Sequence, residues 1–271
     1  YAFVVSRHLY SELSLKLSVI TVTRNCALVV GDCLASVAAQ SHQDIEHVVI
    51  DGKSTDGTLD VLQAHSSELD VLVSEPDSGI YDALNKGIRH ASADVVGFLH
   101  ADDVFASQDV LSQVAAIFAA DSSVSAVYGD LQYVQRTATE RVVRTWRSAP
   151  FSRHRLAWGW MPPHPTLYVR REWYERMGSF DAHYRIAADY FSILQLFTQP
   201  DFKAVYLPEV MVRMRLGGAS NRSLRAIVRK SAEDWDALRR SGFGLVGAAR
   251  ALAWKNVGKV GQFFCCKKSA F

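Results

Sequence analysis

The 271-residue chain is long enough for one large domain, or for a domain with an appended tail. Its 49% hydrophobic and 21% charged residues are the composition of an ordinary globular protein with ample material for a core. A formal net charge of +2 gives no case for nucleic-acid binding, and no stretch approaches the roughly 20 apolar residues that span a bilayer. Along the chain, Leu17–Thr23 is β-branched and almost wholly apolar, the pattern of a buried parallel strand. Arg24-Asn25 ends it, and a helical pattern follows with Leu28, Val29, Cys33, Leu34 and Val37 on one face. Ile45–Ile50 is a second strand, stopped by Asp51-Gly52, and Thr55-Asp-Gly-Thr58 opens a helix through Leu59, Val61 and Leu62. Val71–Val73 is a short third strand, Tyr81–His90 a helix, and Asp94–Leu99 a fourth strand running into Ala101-Asp102-Asp103. Ser107–Ala120 reads as a helix and Ala126–Tyr128 as a strand.

Strand and helix alternate through roughly the first 130 residues, which predicts a mainly parallel sheet covered on both faces. After Asp130 the pattern breaks. Leu131–Trp146 resembles a hairpin, and the Pro-rich Trp158–Pro165 segment predicts an irregular loop. Thr166–Val169 is a strand, and helices are expected over Arg171–Met177 and Ala188–Thr198. A helical tail runs from Ser223 to about Arg240 and then weakens. From Arg213 to Lys268 basic residues outnumber the acids, which are Glu233, Asp234 and Asp236, so an anionic partner is expected there. Cys26, Cys33, Cys265 and Cys266 show no C-x-x-C pair and no zinc spacing with His, and read as free thiols in a reducing cytoplasm. The Tyr1–Tyr10 segment is too short in apolar residues for a signal peptide.

In an open α/β sheet, ligands bind beyond the carboxyl ends of the strands. Four such ends carry polar groups here: Thr23-Arg24-Asn25, Asp51-Gly52, the loop Glu75-Pro76-Asp77-Ser78-Gly79, and His100-Ala101-Asp102-Asp103. Two successive acids after an apolar strand suit a hard divalent cation that also takes diphosphate oxygens. Either acid also suits the N-cap of the next helix, and Asp51 a turn.

Together these motifs resemble the family 2 glycosyltransferases of the GT-A fold, from about Leu17 to about Phe264. They are Ser18–Asn25, Val49–Thr58, Ser74–Ile88, Gly97–Asp103, Met161–Thr166 and Gly178–Tyr190. The resemblance implies an α/β fold, a mainly parallel sheet with helices on both faces and a helical C-terminal tail. It divides the chain into a nucleotide-sugar-binding half (17–130), an acceptor-binding half of the same domain (131–222) and a basic tail (223–271).

By position, the resemblance makes Thr23, Arg24 and Asn25 the first nucleotide-binding edge and Asp51 an acceptor for the base. Asp77, Asp82 and Lys86 would line the base, ribose and sugar. Ala101, Asp102 and Asp103 would form the diphosphate end, with Asp102 on Mn²⁺ or Mg²⁺. His100 stands where the D-x-D pattern has its first acid, which leaves the metal's identity open. Asp189 would be the general base of an inverting transfer. The resemblance also implies a nucleoside-diphosphate-sugar donor, UDP favoured, and a glycan or lipid-linked acceptor on a polysaccharide or cell-envelope pathway.

On the acceptor side, His164 in its Pro-locked loop suits the acceptor, the diphosphate or the metal, or is a solvated histidine. Trp158 and Trp160 suit stacking on a sugar ring or plain loop packing. Arg213–Arg222, with Arg213, Arg215, Ser220 and two glycines, reads as a flap over the donor diphosphate or as an ordinary loop. Trp254, Phe263 and Phe264 interleaved with Lys255, Lys259, Lys267 and Lys268 suit either a packed basic helix or a peripheral anchor on the cytoplasmic face of a membrane. Two other classes stay in view: a nucleotidyltransferase, and a non-catalytic sugar- or lipid-binding module. Against the first, Thr23–Val30 holds none of the glycines of a phosphate-binding loop.

Overall fold

The computed structural model describes residues 15–217 and 224–261. Its first strands, β1 (Leu17–Thr23), β2 (Ile45–Asp51), β3 (Val71–Ser74) and β4 (Val95–Phe98), lie in the order β3-β2-β1-β4 and are all parallel. β1 is buried along its whole length because it feeds two cores by period-two alternation. Ile20 and Val22 face one side, with Val48, Ile50 and Phe98; Leu17 and Val19 face the other, with Val95.

Helices cover both faces. The first face takes α3 (Ile80–His90), α6 (Arg171–Met177) and α7 (Ala188–Phe197), and behind them α8 (Leu224–Arg240) and α9 (Leu245–Gly261). The second takes α1 (Val30–Ala38) and α4 (Val110–Ala120), while α2 (Thr58–Ala64) packs on a smaller cluster with α1. The inner residues Tyr81, Leu84 and Ile88 of α3 fall at helical spacing and reach the sheet. Gly87 permits this closeness, since an added Cβ would meet Ile20 Cγ2 at 2.3 Å.

Beyond β4 the sheet turns mixed. β8 (Tyr168–Arg170) runs antiparallel to both β4 and β6 (Ala126–Gln135), and β6 also forms the expected hairpin with β7 (Ala138–Trp146). β9 (Ala204–Arg215) lies parallel to β6, and the two-residue β5 (Val104–Phe105) pairs antiparallel with β9. A short helix, α5 (Arg153–Ala157), precedes the Pro-rich loop, capped by Ser152, whose Oγ accepts the Arg155 N–H at 3.2 Å.

Four local expectations change. Leu28 precedes α1 and is 96% exposed, because the helix starts only at Val30. β9 stands where no strand was expected, since Pro208-Glu209 interrupts its pattern and is absorbed as a register shift against Gly129. Thr166 closes a 3₁₀ turn over His164–Thr166 rather than opening β8. The tail continues past Arg240 into a second 17-residue helix, α9. Cys26 and Cys33 are free thiols; Cys265, Cys266, Phe263, Phe264, Lys267 and Lys268 lie outside the described residues.

Candidate active site

Asp51 ends β2 beside the end of β1, in register with Thr23, and is fully buried. Its carboxylate accepts from the Thr23 hydroxyl at 3.0 Å, the Ser54 N–H at 3.0 Å, the Ser54 hydroxyl at 2.5 Å and the Ser74 hydroxyl at 2.7 Å. Burial works against its charge, but the Ser54, Ser74 and Thr23 hydrogen bonds outweigh it and hold the carboxyl below the usual carboxylate range. All four acceptor positions are engaged, so Asp51 reaches a nucleobase only by exchanging one of these hydroxyls.

The loop after β1 is sewn to the loop after β2. Asn25, at φ +50° in a left-handed conformation that asparagine tolerates, accepts the Thr55 N–H through Oδ1 at 2.9 Å. Its own N–H donates to Ser54 Oγ at 2.9 Å, and the Cys26 N–H to Thr58 Oγ1 at 2.8 Å. Arg24 is left largely exposed, its guanidinium 3.6 Å from Asp77. Asp77 lies over Gly52, where an added Cβ would stand 2.1 Å from Asp77 Oδ2. Lys86 reaches under the same loop, donating to the Pro76 carbonyl at 2.7 Å and pairing with Glu75 at 2.8 Å and Asp82 at 3.7 Å. Asp82 in turn accepts the Ser78 N–H at 3.0 Å. In this structure Lys86 and Asp82 therefore hold the shape of the loop that presents Asp77.

After β4 the chain turns at Ala101, and the two acids part company. Asp102 is half-buried, whereas Asp103 is 1% exposed and turned toward β9. Asp103 Oδ1 accepts the Arg215 N–H at 3.1 Å, and its Oδ2 has no partner. Burial, and then the neighbouring Asp102 charge, push the Asp103 carboxyl well above its usual range. Arg215 is not a flap residue: it ends β9 and is buried. Its guanidinium donates to the Asp102 carbonyl at 2.9 Å and the Arg136 carbonyl at 3.0 Å, and pairs with Asp32. Arg213 likewise sits in β9, opposite Val104 of β5. Ser220 lies outside the described residues.

Asp189 occupies the first turn of α7 and is half-buried. The Tyr81 hydroxyl donates to the Ile186 carbonyl at 2.6 Å and stands 3.2 Å from Asp189 Oδ1, joining α3 to the head of α7. No side chain of α7 caps its own start. Glu233 of α8 instead holds the turn that leads into the helix, accepting the N–H groups of Arg185, Ile186 and Ala187 at 3.3, 2.8 and 3.0 Å. Tyr81 and Glu233 were not among the residues that motif spacing singles out.

His164 is buried, stacked on Phe98 at 5.4 Å and 6.1 Å from the His100 ring. Burial pushes it down to about 4 against the pull of Asp189, so it is neutral at pH 7, and its Nε2 has no partner. Burial also lowers His100, opposed by both Asp102 and Asp189. Trp160 is half-buried among Tyr128, Phe151 and Phe197 and is held chiefly by packing. Among the described residues no three His, Cys, Asp or Glu side chains gather as a metal cage. The donor set present, with Asp102 as its accessible carboxylate, fits a cation held jointly with substrate phosphates.

Polar residues at the carboxyl ends of parallel strands, with an acid on the facing helix, form the kind of cleft in which open α/β sheets bind their ligands. The sequence of residues 18–190 matches the family model "Glycosyl transferase family 2", and the chain belongs to that family, as a glycosyltransferase of GT-A fold. It is 33% identical over 208 residues to a "PGL/p-HBAD biosynthesis glycosyltransferase" of Mycobacterium bovis (strain BCG / Pasteur 1173P2), covering 75% of this chain and 78% of that one. Among solved structures, S. aureus TarS 1-349 in complex with UDP-GlcNAc superposes with a TM-score of 0.67 at 16% identity, covering 89% of this chain and 72% of that one. The longer TarS chain is spanned only to 44%. The mannosyltransferase PcManGT from Pyrobaculum calidifontis, in complex with GDP-Man and Mn²⁺, gives a TM-score of 0.62 at 21% identity, covering 89% and 68%.

Proposed function

We propose that the chain moves a sugar from a nucleoside-diphosphate sugar, with UDP the favoured carrier, to a hydroxyl of a glycan or lipid-linked acceptor, inverting the anomeric centre. The work belongs to polysaccharide or cell-envelope building at the cytoplasmic face of a membrane. The observation that supports the reading is geometric: the Tyr81 hydroxyl, on the helix after the Asp77 loop, stands 3.2 Å from Asp189, and the His100 ring beside Asp102 lies 6.1 Å from that of His164. Solved relatives of the same fold carry UDP-GlcNAc, or GDP-Man with Mn²⁺, which supports a nucleotide-sugar donor.

In this reading the Asp51 shelf, the Asn25–Ser54 stitching and the Asp77 loop hold the nucleoside. Asp102 is the residue that would hold Mn²⁺ or Mg²⁺; when bound, the cation supplies charge neutralisation for the departing diphosphate. The acceptor hydroxyl oxygen attacks the anomeric carbon, and its proton passes to the Asp189 carboxylate. The anomeric carbon–oxygen bond breaks, and its electron pair leaves on the diphosphate. His164, neutral and with a free ring nitrogen, can donate or accept one hydrogen bond beside this exchange without adding charge.

The test is a thermal-shift panel of UDP, GDP, dTDP and CMP, each with Mn²⁺ or EDTA. A ligand at about 100 times its Kd stabilises the fold by roughly 2.7 kcal/mol. One nucleotide stabilising only with metal supports the site and fixes the base; stabilisation independent of metal removes Asp102 from the role. NMR of the product's anomeric proton decides inversion, and retention overturns it.

A further inference from the structure

Helix α9 faces outward with the wrong residues for a solvated helix. Ala248 and Ala251 point into the core, and Lys255 is buried against Asp234 at 3.0 Å and over the Tyr190 ring at 3.2 Å. On the opposite side Leu245 is 65% exposed, Val246 83% and Trp254 55%, with Ala249 and Ala253 beside them. Val246, Arg250 and Trp254 follow one another at a spacing of four, on one stripe. Among the described side chains of that face Arg250 is the only charge. A helix apolar on both sides is expected to be covered on both.

The face continues onto α5 and the loop after it. Gly159, at φ +78°, lets α9 come so close that an added Cβ would stand 2.2 Å from the Ala251 carbonyl. Trp158 meets Trp254 edge-on at 5.6 Å, and the Arg250 guanidinium lies 4.4 Å over Trp158. His154, Arg155 and the three indoles Trp158, Trp160 and Trp254 line a mostly apolar, open pocket of ≈ 480 Å³. Its neighbours along the sequence carry one sign of charge. Residues 141–171 and 237–271 contain no Asp or Glu, while Arg153, Arg155 and Arg250 are exposed.

We propose that α5 and α9 together dock this protein on an anionic lipid surface. Trp254, Val246 and Leu245 enter the interfacial layer, where indoles are favoured. Arg153, Arg155 and Arg250 meet lipid phosphates, each worth about fivefold in partition. Charge selects this occupant over a second copy of the chain, because two such faces would bring arginines against arginines with no acid in either segment to compensate. A soluble sugar fills the pocket but leaves the outer stripe of α9 bare. The inference stands apart from the assignment of donor and base, so either can fail alone.

The test is sedimentation of the whole chain with vesicles of phosphatidylglycerol or of phosphatidylcholine at about 0.1 M salt, where screening leaves short-range attraction intact. Binding at least tenfold tighter to phosphatidylglycerol is expected. Trp254→Ser with Val246→Ser, and separately Arg155→Glu with Arg250→Glu, each lower it at least tenfold. An unchanged melting temperature shows that the variants fold. Equal binding to both vesicle types, or none, overturns the proposal. So does full binding by both of these double variants together with loss in Lys267→Glu/Lys268→Glu, or a dimer in light scattering that only the Trp254 variant dissolves.

Discussion

The Glu233 carboxylate accepts the Ile186 N–H at 2.8 Å, so a residue of α8 holds the turn that leads into α7. Asp189 follows three residues later, in the first turn of α7, so its aim depends on a side chain 44 positions further along the chain (233 − 189). Glu233→Ala should lower kcat by about 10–100-fold, the scale of a small misplacement of a reacting group. Nucleotide affinity should stay near wild type, and Glu233→Gln, whose amide oxygen still accepts N–H groups, should recover most of the rate. Equal loss in both variants would mean that charge, not hydrogen bonding to the turn, is the contribution.

Asp189→Asn preserves shape and removes the proton acceptor. Turnover should fall on the order of 10²–10⁴-fold with donor binding retained, the usual worth of a general base. Steady-state kinetics with isothermal titration of the nucleotide checks both halves; near-normal turnover removes Asp189 from the role.

Asp102 and Asp103 are adjacent in sequence and opposite in environment. Asp102→Asn should abolish the metal-dependent part of the nucleotide thermal shift. Asp103→Asn keeps an oxygen for the Arg215 N–H and faces away from the cleft, so the shift should survive and stability should change by about 1 kcal/mol or less. Identical behaviour of the two variants would refute the division of labour.

His47 is buried in β2 with its Nε2 3.0 Å from the Thr21 hydroxyl, and burial holds it at about 4. The unfolded chain protonates near 6.5, so it binds the proton first as pH falls. Stability should therefore decline from pH 6.5 toward pH 4 and level off below, by up to about 3 kcal/mol from this residue. His164 acts in the same direction, whereas Glu46, held at about 2, loses its contribution only below about pH 4.5. His47→Gln should flatten the melting-temperature profile between pH 6.5 and 4; parallel profiles would contradict a neutral buried ring.

The parallel half of the fold was legible because each of its strands is a short β-branched run closed by Gly, Asp or Asn, so pattern and punctuation agree. β9 was hidden by Pro208-Glu209, which reads as a break but sits in a register shift. The acids at strand ends could be placed from order and spacing. Their division into accessible Asp102 and buried Asp103 could not, because it depends on which side β9 approaches. Glu233 was read only as one of the few acids in a basic tail; no local signal reveals that its partner is a helix start far upstream.

Arg215 gathers Asp32, Asp102, Asp103 and Arg136 around one guanidinium and one backbone N–H. These groups come from α1, the turn after β4, the β6–β7 hairpin and the end of β9. A ribosome making this chain therefore releases residues 17–130 long before the turn after β4 can set, and loops closed over such spans form late. The segment 17–130 is then not a portable cassette: grafted or truncated ahead of β9, it would carry its acids but not the frame that keeps one of them turned away.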